Sequence, residues 1–208
     1  MNAEKLLDFD NNPETEYYRH DMNDAIRHGM CVSLLASSLA RELGLSDEEV
    51  HEVAVAGMLH DIGKLQISPY IYGRKEATLK IEEMRYVRLH AKLGAEILKT
   101  QRYDSRIAEI VLYHHENYDG SGYPFCMRGE EIPLGSRIIR VCDVFSALIS
   151  DRPYRKAFDA DTALVMVIDE VRHFDMKIFL TFQKMINTSD ILKRIDSILH
   201  DDLPEFHG

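Results

Sequence analysis

Apolar residues return every third or fourth position over most of this chain, the spacing of amphipathic helices, and never alternate long enough to suggest a strand. Residues 1–16 are polar and acidic, include Asn11-Asn12-Pro13, and read as a lead-in to a domain spanning 17–208. A helix is predicted from about Tyr17, with Ile26, Met30 and Leu34 and then Leu35, Leu39 and Leu43 facing inward, and Gly44 as its stop. Ser46-Asp47-Glu48-Glu49 has the form of a capping box, after which Val50, Val53, Ala54, Gly57 and Met58 mark a second helix. Ile67-Ser68-Pro69 predicts a break, followed by an irregular, mixed-charge stretch over 70–77. Helices are predicted over 78–100 and from about Ser105, then a turn-rich loop from Asn117 to Pro133. The segment 136–150 is apolar on most sides and is expected at the centre, with further helices near 160–173, 175–187 and 189–200. The fold class is all-α, a helical bundle without internal repeats.

With 208 residues, 45% of them hydrophobic, the chain can bury one substantial core. A formal net charge of -10 argues against a polymeric nucleic-acid partner, because phosphate backbones need clustered Lys and Arg. An anionic ligand would have to be held by local charge. Cys31, Cys126 and Cys142 are odd in number and lack CxxC spacing, so neither a disulfide framework nor a zinc knuckle is expected. No signal peptide and no apolar run near the roughly 20 residues of a membrane span is evident, so a cytoplasmic protein without a membrane partner is expected.

Two doublets change the picture. His60-Asp61, followed by Gly63-Lys64, and His114-His115 both fall where a helix is expected to end. His60 alone could cap a helix C-terminus. Asp61 does not fit that role, since a carboxylate beside a negative helix end is unfavourable unless a cation offsets it. His114 follows Ile107, Ile110 and Val111 on one stripe and so points to the core. Asp143 lies within Ile138-Ile139-Arg140-Val141-Cys142-Asp143-Val144-Phe145, too apolar to face water on many sides; metal or the nearby Arg140 could pair it. His28 and His90 sit where amphipathic helices can turn them inward. Imidazoles with one or two carboxylates and no thiolate suit a hydrolytic metal centre.

Taken in order, Leu59-His60-Asp61-Ile62-Gly63-Lys64, the run from His114-His115-Glu116 through Gly122-Tyr123-Pro124, Arg137 through Phe145, and Arg152-Pro153-Tyr154-Arg155 resemble the HD-GYP family. That family belongs to the HD superfamily of metal-dependent phosphohydrolases, and its members hydrolyse the bacterial second messenger cyclic di-GMP. The resemblance spans residues 20 to 185 or so and implies an HD-superfamily helical bundle. It implies that His28, His60, Asp61, His90, His114, His115 and Asp143 hold two divalent ions, iron or manganese before zinc, with Asp61 bridging. Lys64 matches the lysine that contacts the scissile phosphate. Gly122 and Tyr123 match the loop that names the family, and Arg152 and Arg155 match positions that grip the dinucleotide phosphates. Some members hold a third ion with a Glu one turn before the first His; Asp24 stands there instead, a methylene shorter, which disfavours a third ion. Tyr70 to Glu76 departs from the usual Lys-Pro-Gly stretch, and Met176 replaces a common proline at a helix start.

The implied reaction converts cyclic di-GMP to linear pGpG, and further to GMP in its fullest form, by attack of a metal-bridged hydroxide on phosphorus. Lys64 would stabilise charge at phosphorus or protonate the departing 3′ oxygen. The alternatives are a phosphodiesterase for another cyclic dinucleotide such as cyclic GMP-AMP, and a catalytically weak nucleotide-binding signalling module. A homodimer contact or a signalling protein partner is the expected means of control.

Overall fold

The computed structural model describes residues 13–71, 85–151 and 155–201, with the backbone alone at 13–21 and 68–71. Nine α-helices occur among them: α1 (Pro13–Glu42), α2 (Asp47–Leu59), α3 (Lys64–Ile71), α4 (His90–Thr100), α5 (Ser105–Tyr113), α6 (Leu134–Leu148), α7 (Ala160–Asp169), α8 (Met176–Thr188) and α9 (Ile191–His200). No strand occurs among the described residues, and the all-α reading holds.

α1 starts at Pro13, four residues before the predicted start. Proline suits a first helical position, where its fixed φ is right and its missing N–H is not needed. The capping box forms as written in the sequence: Ser46 Oγ accepts the Glu49 N–H, and the Glu49 carboxylate accepts the Ser46 N–H at 2.9 Å. The break predicted at Ile67-Ser68-Pro69 does not occur, because α3 continues to Ile71. Pro69 lies in the last turn of a short helix, so its ring costs one backbone bond rather than a ladder. The helix predicted over 78–100 is interrupted at Arg88-Leu89 before α4 begins at His90. There the His90 ring Nδ1 takes the Val87 carbonyl, which a continuous helix would have used for its ladder.

The core forms around α6, which packs against α1, α2, α5, α7 and α8. Its Ile138, Ile139, Val141, Cys142 and Phe145 are wholly buried, and Phe145 meets Phe182 of α8 edge to face at 5.3 Å. α4 and α5 pair as a hairpin, and α5 leans on α2. The C-terminal ends of α2 and α5, the start of α4 and the middle of α1 and α6 thereby converge on one side of the core. At Asp175, the carboxylate accepts the Lys177 and Ile178 N–H groups and starts α8 at Met176, so the helix is capped without a proline.

Candidate metal centre

Helix ends aim the histidines. His60 and His114 are the residues that close α2 and α5, and His90 opens α4. In each case ring Nδ1 donates to the carbonyl three residues earlier: His60 to Gly57, His90 to Val87 and His114 to Val111. A carbonyl only accepts, so the proton of the neutral ring is fixed on Nδ1 and Nε2 is left with its lone pair. His28 is held differently, with Nδ1 at 3.1 Å from Ser146 Oγ and Nε2 at 3.0 Å from Asp143 Oδ1.

The donors gather in two groups, each with its ligand atoms within 4.8 Å of one another. One comprises Asp61, His90, His114 and His115; the other His28, His60 and Asp143. All seven residues expected from the sequence are thus brought together, from five separate stretches of chain. Asp24, one turn before His28, belongs to neither group.

The arrangement could hold a cation. Nε2 of His90 lies 3.2 Å from Nε2 of His114 and 3.1 Å from that of His115. With the protons of His90 and His114 committed to Nδ1, these are lone pairs turned toward one another. Burial also keeps His90, His114 and His115 neutral, pushing their pKa values down, that of His115 to about 3. His60 Nε2 and Asp61 Oδ1 are buried and have no hydrogen-bond partner among the described residues. Imidazole nitrogens and carboxylate oxygens without thiolate are a set for a borderline-hard divalent ion. The residues fit the group.

The second group shows what replaces that charge in the protein alone. Burial opposes a charged His60, but Asp61 and Asp143, at 3.4 and 3.6 Å from Nε2, outweigh it and raise the ring to about 10. Burial likewise opposes the two carboxylates. His60 and Lys64 nonetheless hold Asp61 well below the usual range, and the hydrogen bond from His28 together with the nearby His60 charge does the same for Asp143. The expected partner of Asp143 was metal or Arg140. Among the described residues it is His28 that contacts it, and Arg140 Nε instead donates to Asn117 Oδ1 at 2.8 Å.

The HD domain family matches residues 6–178. The chain belongs to the HD-domain family. It is 37% identical over 184 residues to a cyclic di-GMP phosphodiesterase of Pseudomonas aeruginosa, covering 87% of this chain and 44% of that protein. It is 44% identical over 135 residues to the cyclic di-GMP phosphodiesterase response regulator RpfG of Xanthomonas campestris, covering 64% and 35%. The chain spans less than half the length of these curated relatives. Its fold matches that of a cyclic GMP-AMP specific phosphodiesterase of Vibrio cholerae with a TM-score of 0.65, at 16% identity, covering 86% of this chain and 51% of the other.

In this HD domain, Gly63 and Lys64 follow the Asp for separate reasons. A Cβ on Gly63 would lie 2.0 Å from the His90 carbonyl oxygen, so only glycine lets the turn after Asp61 press on the start of α4. Lys64, the first residue of α3, places Nζ 2.6 Å from Asp61 Oδ2. Asp61, Lys64, His28, His115 and Asp143 all border one cavity of about 480 Å³, whose apolar wall is Val144, Ala147 and Leu148 of α6.

Arg155 borders the same cavity, but its guanidinium is engaged with backbone: Nη1 donates to the Leu148 and Lys156 carbonyls and Nη2 to Ala147. It therefore secures the C-terminal end of α6 as well as facing the pocket. Arg152 lies outside the described residues. The ring of Tyr123 stacks on His115 at 4.7 Å between centroids, and the Arg88 guanidinium lies over the Tyr123 ring at 5.1 Å from its centroid. Gly122 is required by contact: a Cβ there would lie 2.2 Å from the Asn117 nitrogen.

Sequence reasoning passed over Glu116. It is buried, and its two oxygens accept the Phe125 and Met127 N–H groups at 2.7 and 3.0 Å, which folds the loop back over His115. Its signal was its place directly after the second doublet. Arg88 carried no signal at all, because the chain between it and Tyr123 is long.

Proposed function

We propose that this HD domain is a metal-dependent phosphodiesterase acting on cyclic dinucleotides, with cyclic di-GMP its main substrate and linear pGpG its first product. The carrying observation is that members of both donor groups, Asp61 and His115 of one and His28 and Asp143 of the other, border a single cavity with Lys64, with facing Nε2 lone pairs and an orphaned carboxylate oxygen in the groups behind them. We propose Asp61, His90, His114 and His115 as the ligands of one divalent ion, and His28, His60 and Asp143 as those of a second, with Asp61 central to both. Iron or manganese suits this nitrogen- and oxygen-rich set. Such ions would supply positive charge to the phosphoryl oxygens and lower the pKa of the attacking water.

The chain's own residues do the rest. Nδ1 tethers keep three imidazoles from swinging, so the site reaches its reactive geometry without reorganising. Lys64 Nζ, close to Asp61, stands where charge accumulates at phosphorus and can donate a proton to the departing 3′ oxygen. Val144, Ala147 and Leu148 offer an apolar shelf for a base or ribose, and Tyr123 steadies His115 by stacking. Work in the cytoplasm is consistent with this reading; no described helix is long and apolar enough to cross a membrane.

Relatives named for cyclic di-GMP and for cyclic GMP-AMP occur at the same 37% identity, so turnover of cyclic GMP-AMP is the second reading. The test is anaerobic loading with ferrous or manganous ion, metal analysis, and product separation with each dinucleotide. Two ions per chain and linear products are expected, with Asp61→Asn losing both metal and turnover. Full turnover by Asp61→Asn would refute the assignment.

A further inference from the structure

Among the described residues, three carboxylates border the cavity: Asp61, Asp143 and Glu170. The first two belong to the donor groups, and Glu170 belongs to neither. Its side chain is half-exposed, and its place in the helix does not favour an acid. Glu170 closes α7, where the negative end of the helix disfavours a carboxylate, and no basic residue stands in that last turn. It opens the short 3-10 turn Val171–His173 without capping it through its side chain. Its recorded side-chain neighbour is His173 Nδ1 at 3.5 Å, beyond good hydrogen-bonding range.

A carboxylate on the wall of a pocket for a phosphodiester repels the ligand's anionic part. Its favourable contact must be with a neutral group rich in donors. Guanine offers two adjacent ones, N1–H and the N2 amino group, at the spacing of a carboxylate's two oxygens. Adenine presents N1 as a lone pair beside its N6 amino group, so the same carboxylate gains one bond and meets one repulsion. The shelf of Val144, Ala147 and Leu148 gives a base an apolar surface to lie against while its edge meets Glu170.

We propose that Glu170 is the residue with which this pocket reads a guanine base, selecting guanine-containing over adenine-containing cyclic dinucleotides. This rests on the phosphodiesterase reading above. The experiment compares kcat/KM for cyclic di-GMP, cyclic di-IMP and cyclic di-AMP in the wild-type protein and in Glu170→Gln, Glu170→Ala and His173→Ala. Binding of non-hydrolysable phosphorothioate analogues is measured alongside, with metal content and thermal melting as checks on folding. Wild type should prefer the guanine substrate to the adenine one by roughly tenfold to a hundredfold, with the hypoxanthine analogue, which lacks the amino group, between them. Glu170→Ala should flatten that ratio through KM. Glu170→Gln, whose amide offers one acceptor and one donor, should move it toward adenine. His173→Ala should keep the wild-type ratio. A guanine-to-adenine ratio unchanged within twofold in both Glu170 variants would overturn the inference, as would loss of selectivity in His173→Ala alone. A wild-type protein that hydrolyses neither these three nor cyclic GMP-AMP would overturn the phosphodiesterase reading itself, and this inference with it.

Discussion

Adding one methyl group at Gly63 should damage this site more than its size suggests. The new Cβ would lie 2.0 Å from the His90 carbonyl oxygen, 2.6 Å from the Gly94 nitrogen and 2.8 Å from the His90 carbonyl carbon, all backbone atoms. Side chains can swing away; a helix start cannot. The first turn of α4 would have to retreat by about 1 Å to reach even the 3.0 Å below which real Cβ contacts are essentially never seen. Overpacking of this kind costs about 1–3 kcal/mol, and the rigid neighbours put Gly63→Ala at the upper end. The retreat carries His90 with it, opening the 3.3 Å approach of its Nε2 to Asp61 Oδ1. Urea unfolding should therefore show about 3 kcal/mol lost, and metal analysis should show poorer loading of the group containing His90 than of the one containing His28. Gly129→Ala is the control, since nothing lies within 4 Å of its Cβ and only its φ of +60 penalises the change. Full metal loading by Gly63→Ala with less than about 1 kcal/mol lost would refute the reasoning.

Three further outcomes are expected. In the metal-free protein, burial depresses the pKa of His115 to about 3 from 6.5, so the unfolded chain binds more protons in acid. That contribution is complete above pH 6.5 and lost as pH falls toward 3, at up to about 1.4 kcal/mol per pH unit, whereas His60, raised to about 10, gives stability that is lost as pH climbs from 6.5 to 10. Urea titrations across pH should place the metal-free maximum near neutrality; a flat profile would contradict it. Metal binding at pH 7.5 should release close to one proton, from His60, seen by calorimetry in buffers of differing ionisation heat, and no buffer dependence would count against that assignment. Glu116→Gln should cost about 1–3 kcal/mol and raise KM, because one of two loop N–H groups loses its acceptor, and an unchanged melting curve would show that the loop does not depend on it.

The helices were legible because their inward stripes are regular, and the seven converging donors because carboxylate and imidazole stood where helix ends or apolar surroundings gave them no other reason to be. Asp61 beside a negative helix end and Asp143 within Ile138 to Phe145 both pointed by their cost to a positively charged partner. Pro69 misled, since local composition cannot show that a helix is about to end anyway. Arg155 is expected to face phosphate and does border the cavity, but two of its hydrogen bonds also secure the end of α6, a role the sequence does not show. Arg88 and Glu170 were not legible, and Glu116 only by its place after His115. Their partners are set by loop closure and helix packing, which leave no periodic trace.

The Nδ1 tethers have a consequence for transplanting this chemistry. His60, His90 and His114 are each oriented by a carbonyl one turn earlier in their own segment, so each segment of a few residues is a pre-aimed donor unit. A designer could move three such units onto an unrelated scaffold by matching the positions and directions of three helix termini, leaving the rest of the bundle behind.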